Sequence, residues 1–375
     1  MAASTDILFQ GQRSPNTSAS CSDKMTKVFL PDMFKSFLRD EPRLNVHYAA
    51  VKSSSEKWVI DFCSLSPKAS KKVRQCDFTY YCAVVYPDAP LEEFQTVSDW
   101  GNWIFPFDDM FDEGRLRDDP KAAREMMDSL MSGMQGLRLH GERPELLKAH
   151  DHIFNRLCQK SSPETIQRYI KAMAHYRDSV LIQVSSASEG TLPQLEDMLK
   201  TRSRSIAGWA MYVMIEYANG LEIPSEVFEH PVIKALEVIV FNIIAIVNDI
   251  VSYRKEEADG VPHNMVAVCR MRGLSAQQAF DTVGALLDSE LARWEDKLHQ
   301  LPSWGGKVDY DVQKYIEGVK KMAQANIRSS FRSERYFGQT AAKVQQTREI
   351  FVLAEPPYIH FRVGCEVGGT EELKD

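Results

Sequence analysis

The segment from Pro231 to Glu257 most limits what this chain can become. It is long and apolar on most of its sides, and its richest part, Val238 to Val247, is interrupted only by Asn242. That run is about half a membrane span and is followed at once by Asn248-Asp249, so it predicts a buried core helix and not a transmembrane segment. A helix that is apolar nearly all round has to be enclosed by others.

One stripe on this helix is polar. Asn248, Ser252 and Glu256 recur every fourth residue, which puts them on one helical face, about 40° apart around the axis. Asn and Ser are poor residues inside helices because they compete for backbone hydrogen bonds. A helix emerging into water at Asn248 would explain polarity, but not three oxygens in line. A second oxygen-rich stretch, Asp108-Asp109-Met110-Phe111-Asp112-Glu113, starts 140 positions earlier and sets Asp108 and Asp112 on one face. It follows Trp103-Ile104-Phe105-Pro106-Phe107, too apolar for a solvent surface, and Gly114 ends it. Carboxylate, amide and hydroxyl oxygens are hard ligands that suit Mg²⁺, which usually completes its shell with substrate phosphates and water. Two such faces predict a diphosphate held between them by several metal ions.

Composition narrows the field further. The net charge of −7, with no basic block or basic stripe interleaved with aromatics, argues against nucleic-acid binding. Seven scattered cysteines show no C-x-x-C spacing, so neither a zinc site nor a disulfide framework is indicated, and a reduced cytoplasmic compartment is expected. The N-terminus is polar and Ser-rich without a secretory pattern, and residues 1–25 and 355–375 read as tails around one all-α domain at 26–354. Helical periodicity is read over 89–105, 120–137, 164–186, 192–219 with Gly208 inside, 275–300 and 306–334, for ten or so helices in all. Phe78 to Tyr86 is apolar and aromatic like a strand but has no hairpin partner nearby. Asp118-Asp119 before Pro120 reads as a loop and a helix N-terminus.

D-D-x-x-D-E followed by N-D-x-x-S-x-x-x-E resembles the paired metal motifs of class I terpene synthases in their single-domain microbial form, over roughly residues 30–345. The resemblance implies a helical bundle around a central apolar cavity, and a lyase that ionises farnesyl diphosphate and cyclises it to a sesquiterpene, as a monomer or homodimer. It implies three Mg²⁺ ions, with Mn²⁺ as a substitute, held by Asp108, Asp112, Asn248, Ser252 and Glu256. Arg202 lies 46 residues before Asn248, where the family places a diphosphate-sensing arginine. Lys255 and the pair Arg335-Tyr336 match the family's other diphosphate-binding positions. Such cations are needed because metal ions do not cover every diphosphate oxygen. Asp109 is expected to bond Arg335 in the closed state. Phe105, one turn before Asp108, is expected to face the cavity and offer its ring to a cation, with Tyr80, Tyr81, Trp209 and Tyr212 as looser candidates. Two departures stand out. Ser329 occupies the position where the family commonly has Trp, and Ser205 and Ile206 would fill the helix-break positions after the sensor. A chain-elongating prenyltransferase would need a second D-D-x-x-D where this chain has the Asn-Ser-Glu stripe. A non-catalytic helical binding protein would have no use for complete ligand sets on both helices.

Overall fold

The computed structural model describes residues 24–112, 114–137, 143–189 and 208–358, with short pieces within 191–199 and at 362–363. Its principal helices are α1 (Tyr48–Phe62), α2 (Pro67–Cys76), α3 (Phe78–Val85), α4 (Leu91–Asp112), α5 (Pro120–Met134), α6 (Glu145–Lys160), α7 (Pro163–Glu189), α8 (Gly208–Asn219), α9 (Pro231–Ala258), α10 (Met265–Met271), α11 (Ala276–Leu298), α12 (Gly306–Arg332) and the short α13 (Glu334–Phe337). The architecture is all-α, as the periodicity predicts.

Helix α9 is the centre. It packs most extensively against α11 and α12. Ile239, Val240, Phe241, Ile243, Ala245 and Ile246 are fully enclosed, and each large apolar side chain so buried contributes about 1.5–3 kcal/mol. By length and apolarity α9 alone among the described helices could cross a membrane, but 83% of its most apolar window is buried inside the protein. Its start is set by Pro231 in the first turn and by His230, whose ring accepts a hydrogen bond from the Val232 N–H at 3.3 Å. Ser275 and Gln278 form the capping box of α11, and the Asp119 carboxylate accepts from the Ala122 N–H at 3.0 Å to start α5.

The strand-like run from Phe78 is helical. Asp77, at φ 47°, ends α2 and caps α3 by accepting from the Tyr80 N–H at 3.3 Å. With α4 and α12 on either side, α3 buries residues all round, so its composition lacks a polar face. Gly318 lets α12 approach α8: a Cβ there would lie 2.6 Å from Ile215 Cγ2.

Among the described residues four short strands escape the sequence reading; Thr191–Leu192, at the edge of the segment read as helix from 192, pairs parallel with Arg362–Val363. β1 (Met25–Phe29) pairs antiparallel with β2 (Glu349–Leu353), from Met25 opposite Leu353 to Phe29 opposite Glu349. Their separation along the chain hides the pairing from local pattern. The ribbon is fastened to the end of α9. Glu257 accepts from the Leu353 N–H at 2.8 Å and from Arg270 at 2.6 Å, while Arg270 also donates to the carbonyls of Leu353 and Ala354 at 2.8 and 2.9 Å.

Candidate active site

Asp108 to Asp112 of the first oxygen-rich stretch form the last turn of α4. Pro106 lies inside that helix without ending it, although proline supplies no N–H to the carbonyl one turn back. The helix stops at Asp112, and at Gly114 an added Cβ would meet Met110 Cα at 2.8 Å. Asp108 is partly buried and accepts a 2.6 Å hydrogen bond from the hydroxyl of Tyr176, itself buried on α7. Asp109 forms an ion pair with Lys72 of α2 at 2.7 Å. The expected partner Arg335 is not bonded to Asp109 here, but Asp109 is among the charges that act on it.

The second stretch occupies the last three turns of α9. Asn248 Nδ2 donates to the Tyr336 hydroxyl at 3.0 Å. Glu256 Oε2 accepts from Asn264 Nδ2 at 2.8 Å, and Ser252 Oγ lies 3.4 Å from the same nitrogen. Asp249, seven residues before Glu256, is fully buried and faces the same turn, where its carboxylate accepts from the Met265 N–H at 2.8 Å. Asp249 is thus taken up by a backbone N–H of the following turn, beside the stripe of Asn248, Ser252 and Glu256.

Arg335 and Tyr336 link the two stretches. The Arg335 guanidinium lies over the Phe105 ring at 5.5 Å, one turn before Asp108, and donates to Cys76 Sγ at 3.9 Å. Tyr336, then Cys76 and Asp109, hold its pKa above the ordinary guanidinium value against the opposing effect of burial. Its Nε is buried without a hydrogen-bond partner among the described residues. A buried, permanently charged donor of this kind suits an anion.

The donor set fits Mg²⁺: carboxylate, amide and hydroxyl oxygens, several of them oriented from behind by hydrogen bonds. No three His, Cys, Asp or Glu side chains converge among the described residues.

A family model described as terpene synthase family 2, C-terminal metal binding, matches residues 99–293, which include both oxygen-rich stretches. The chain belongs to the terpene synthase family. It is 34% identical over 334 residues to silphinene synthase peniA of Penicillium patulum, covering 87% of this chain and 90% of that one. It is 30% identical over 335 residues to sesquiterpene synthase Agr1 of Cyclocybe aegerita, covering 89% and 95%. The solved structure of wild-type cucumene synthase superposes with a TM-score of 0.66 at 20% identity, over 78% of this chain and 99% of that one, a likeness of fold.

Other anticipated residues of this terpene synthase fall in different places. Arg202, Ser205 and Ile206 lie outside the described residues, as do the Asp112 side chain and most of the first half of the 192–219 segment; α8 begins at Gly208. Lys255 is partly exposed and pairs with Asp259 one turn on, at 3.1 Å. Among the looser aromatics, Tyr81 is buried with its hydroxyl on the Met322 carbonyl at 3.1 Å, and Tyr80 lies under the Arg332 guanidinium at 4.5 Å. Ser329 opens on a cleft of about 380 Å³ that Cys76, Asp77, Tyr80 and Arg332 also line. Trp209 and Tyr212 both meet the ring of Phe241, at 4.8 and 4.4 Å between centroids.

Phe241 is one of four functional candidates the sequence reading misses. It lies seven residues before Asn248, so it shares that residue's face two turns back, and the period could have found it. Tyr176 and Lys72 carry no signal, because only the packing of α7 and α2 brings them to the acidic turn. Asn264 has a signal, Asn before the apolar run Met265–Val268, but that pattern reports a helix cap and not its contact with Glu256.

Proposed function

We propose that this terpene synthase ionises farnesyl diphosphate with Mg²⁺, cyclises the resulting cation to a sesquiterpene and releases diphosphate, through one α domain at about residues 26–354. The 3.0 Å bond from Asn248 to the Tyr336 hydroxyl carries the reading, since it joins a proposed metal ligand to the proposed diphosphate-binding pair. Asp108 with Asp112, and Asn248 with Ser252 and Glu256, hold the metal. Bound Mg²⁺, three ions in this reading, neutralises the charge that develops on the departing diphosphate. Arg335, Lys255 and Arg202 supply further cationic donors, and Tyr336 supplies its hydroxyl. Phe105 and Trp209, the latter backed by Phe241, offer ring faces, which attract a cation without readily trapping it. The named sesquiterpene relative, matched over most of both chains, supports the farnesyl substrate.

The test is incubation of the full chain with Mg²⁺ and geranyl, farnesyl or geranylgeranyl diphosphate separately, followed by gas chromatography–mass spectrometry. A Mg²⁺-dependent sesquiterpene from farnesyl diphosphate is expected. A longer prenyl diphosphate, formed only when isopentenyl diphosphate is added, would instead identify an elongating enzyme. No product, together with no thermal stabilisation by Mg²⁺ plus inorganic diphosphate, would leave a binding protein.

A further inference from the structure

We propose that Asn264 is a positioning residue of the metal site, holding the Glu256 carboxylate in the orientation from which it binds. The proposal rests on the reading above that Glu256 is a metal ligand. Asn264 is fully buried in the turn between α9 and α10. Its amide is used on both sides. Oδ1 accepts from the backbone N–H groups of Val266 at 2.8 Å and Ala267 at 3.4 Å, which starts α10. An N–H can only donate, so this side of the amide must be the oxygen. The nitrogen therefore faces α9, where Nδ2 lies 2.8 Å from the Asp249 carbonyl, 2.8 Å from Glu256 Oε2 and 3.4 Å from Ser252 Oγ. Two N–H bonds serve the two short contacts, and Ser252 receives the longer, weaker one.

One amide thus spans two turns of the helix that carries the ligands. It fixes the plane of the Glu256 carboxylate by one oxygen and selects the side-chain rotamer. Asp249 adds a second strut between the same elements through its bond from the Met265 N–H, so the turn cannot shift relative to α9 without breaking both. Ordering Glu256 before metal arrives lowers the entropy lost on binding.

Capping and positioning make different demands on residue 264. Capping needs only an acceptor, which the hydroxyl of Ser or Thr supplies. Positioning needs a donor that reaches Glu256, which these shorter side chains do not supply. Asn264→Ser therefore separates them. The experiment titrates Mg²⁺ into the full chain at a fixed concentration of inorganic diphosphate, reading heat and thermal shift, with no turnover required. The unliganded melting temperature of Asn264→Ser should fall by a few degrees, because buried acceptors on α9 lose their donor, while the Mg²⁺ midpoint of the folded variant rises about 10-fold or more, as loss of an outer-shell partner does elsewhere. If Asn264→Ser does not fold, Asn264→Thr, which preserves the cap, carries the same test. A wild-type midpoint in a folded Asn264→Ser or Asn264→Thr protein overturns the proposal and leaves Asn264 a helix cap only. Glu256→Ala is run alongside. If it also leaves the midpoint unchanged, the metal reading of α9 has failed; if it raises the midpoint while the Asn264 variants do not, only the positioning role has.

Discussion

Replacing Glu237 by Gln should flatten the pH dependence of this protein's stability. Glu237 sits near the start of α9, 7% exposed, one turn before Phe241. Its carboxylate accepts from the Tyr315 hydroxyl at 2.5 Å, and its backbone carbonyl accepts from the Tyr212 hydroxyl at 2.8 Å. Burial pushes the Glu237 pKa up from 4.5 to about 7, against the opposing effect of the Tyr315 bond; Glu216 adds to the rise, Lys234 works against it and Glu229 adds a little more. The sign follows from proton counts. Below pH 4.5 the carboxyl is protonated in both states and contributes nothing. As pH rises, the unfolded chain loses this proton first, so the folded state binds more protons and stability falls until pH passes about 7. The full gap corresponds to about 3 kcal/mol, at about 1.4 kcal/mol per pH unit. Gln keeps an acceptor for Tyr315 and has no proton to lose. Urea unfolding of wild type and Glu237→Gln at about pH 5 and pH 8 is the assay, and other titrating groups cancel in the difference between the two proteins. The wild type should lose up to about 3 kcal/mol more than the variant across that range. Parallel stability curves would show that Glu237 titrates as an ordinary surface carboxyl and that the argument from burial is wrong.

Three further outcomes are expected. Tyr176→Phe deletes the hydroxyl that orients Asp108 and should raise the Mg²⁺ requirement for diphosphate release about 10-fold; an unchanged Mg²⁺ titration would remove Tyr176 from the site. Asp109→Asn should lower turnover by weakening both its pair with Lys72 and its approach to Arg335; unchanged steady-state kinetics and metal dependence would end its closure role. Arg270→Met leaves Glu257 without its cation at a site where both side chains are at most 3% exposed. Urea unfolding should show a loss of about 3–5 kcal/mol, and a loss well below about 1 kcal/mol would mean that Glu257 protonates or finds water instead.

What could be read from the sequence followed the range over which each signal acts. The core helix and its ligand stripe lie within 27 residues, so period alone shows that Asn248, Ser252 and Glu256 share a face. The caps at Ser275 and Asp119 are equally local. The Lys72–Asp109 pair, the Tyr176–Asp108 bond and the β1–β2 ribbon depend on where distant elements come to rest, and no window of sequence contains both partners. Phe78–Val85 was obscured for a different reason: a helix buried on every side loses the polar face by which helices are recognised, leaving a strand-like composition. Phe241 was within reach of the period, but it is embedded among apolar residues that satisfy the same pattern through packing alone.

Helix α9 also suggests how such an enzyme could diversify. Its oxygen stripe lies toward one end, and the aromatic cluster of Phe241, Trp209 and Tyr212 lies about 10 Å further back along the same rod. In the proposed chemistry, departure of the leaving group is set at the first location and the shape adopted by the hydrocarbon at the second. Substitutions around Phe241 can accumulate while the ligand turns stay fixed, so a lineage could explore new ring systems without ever passing through an ancestor unable to ionise its substrate.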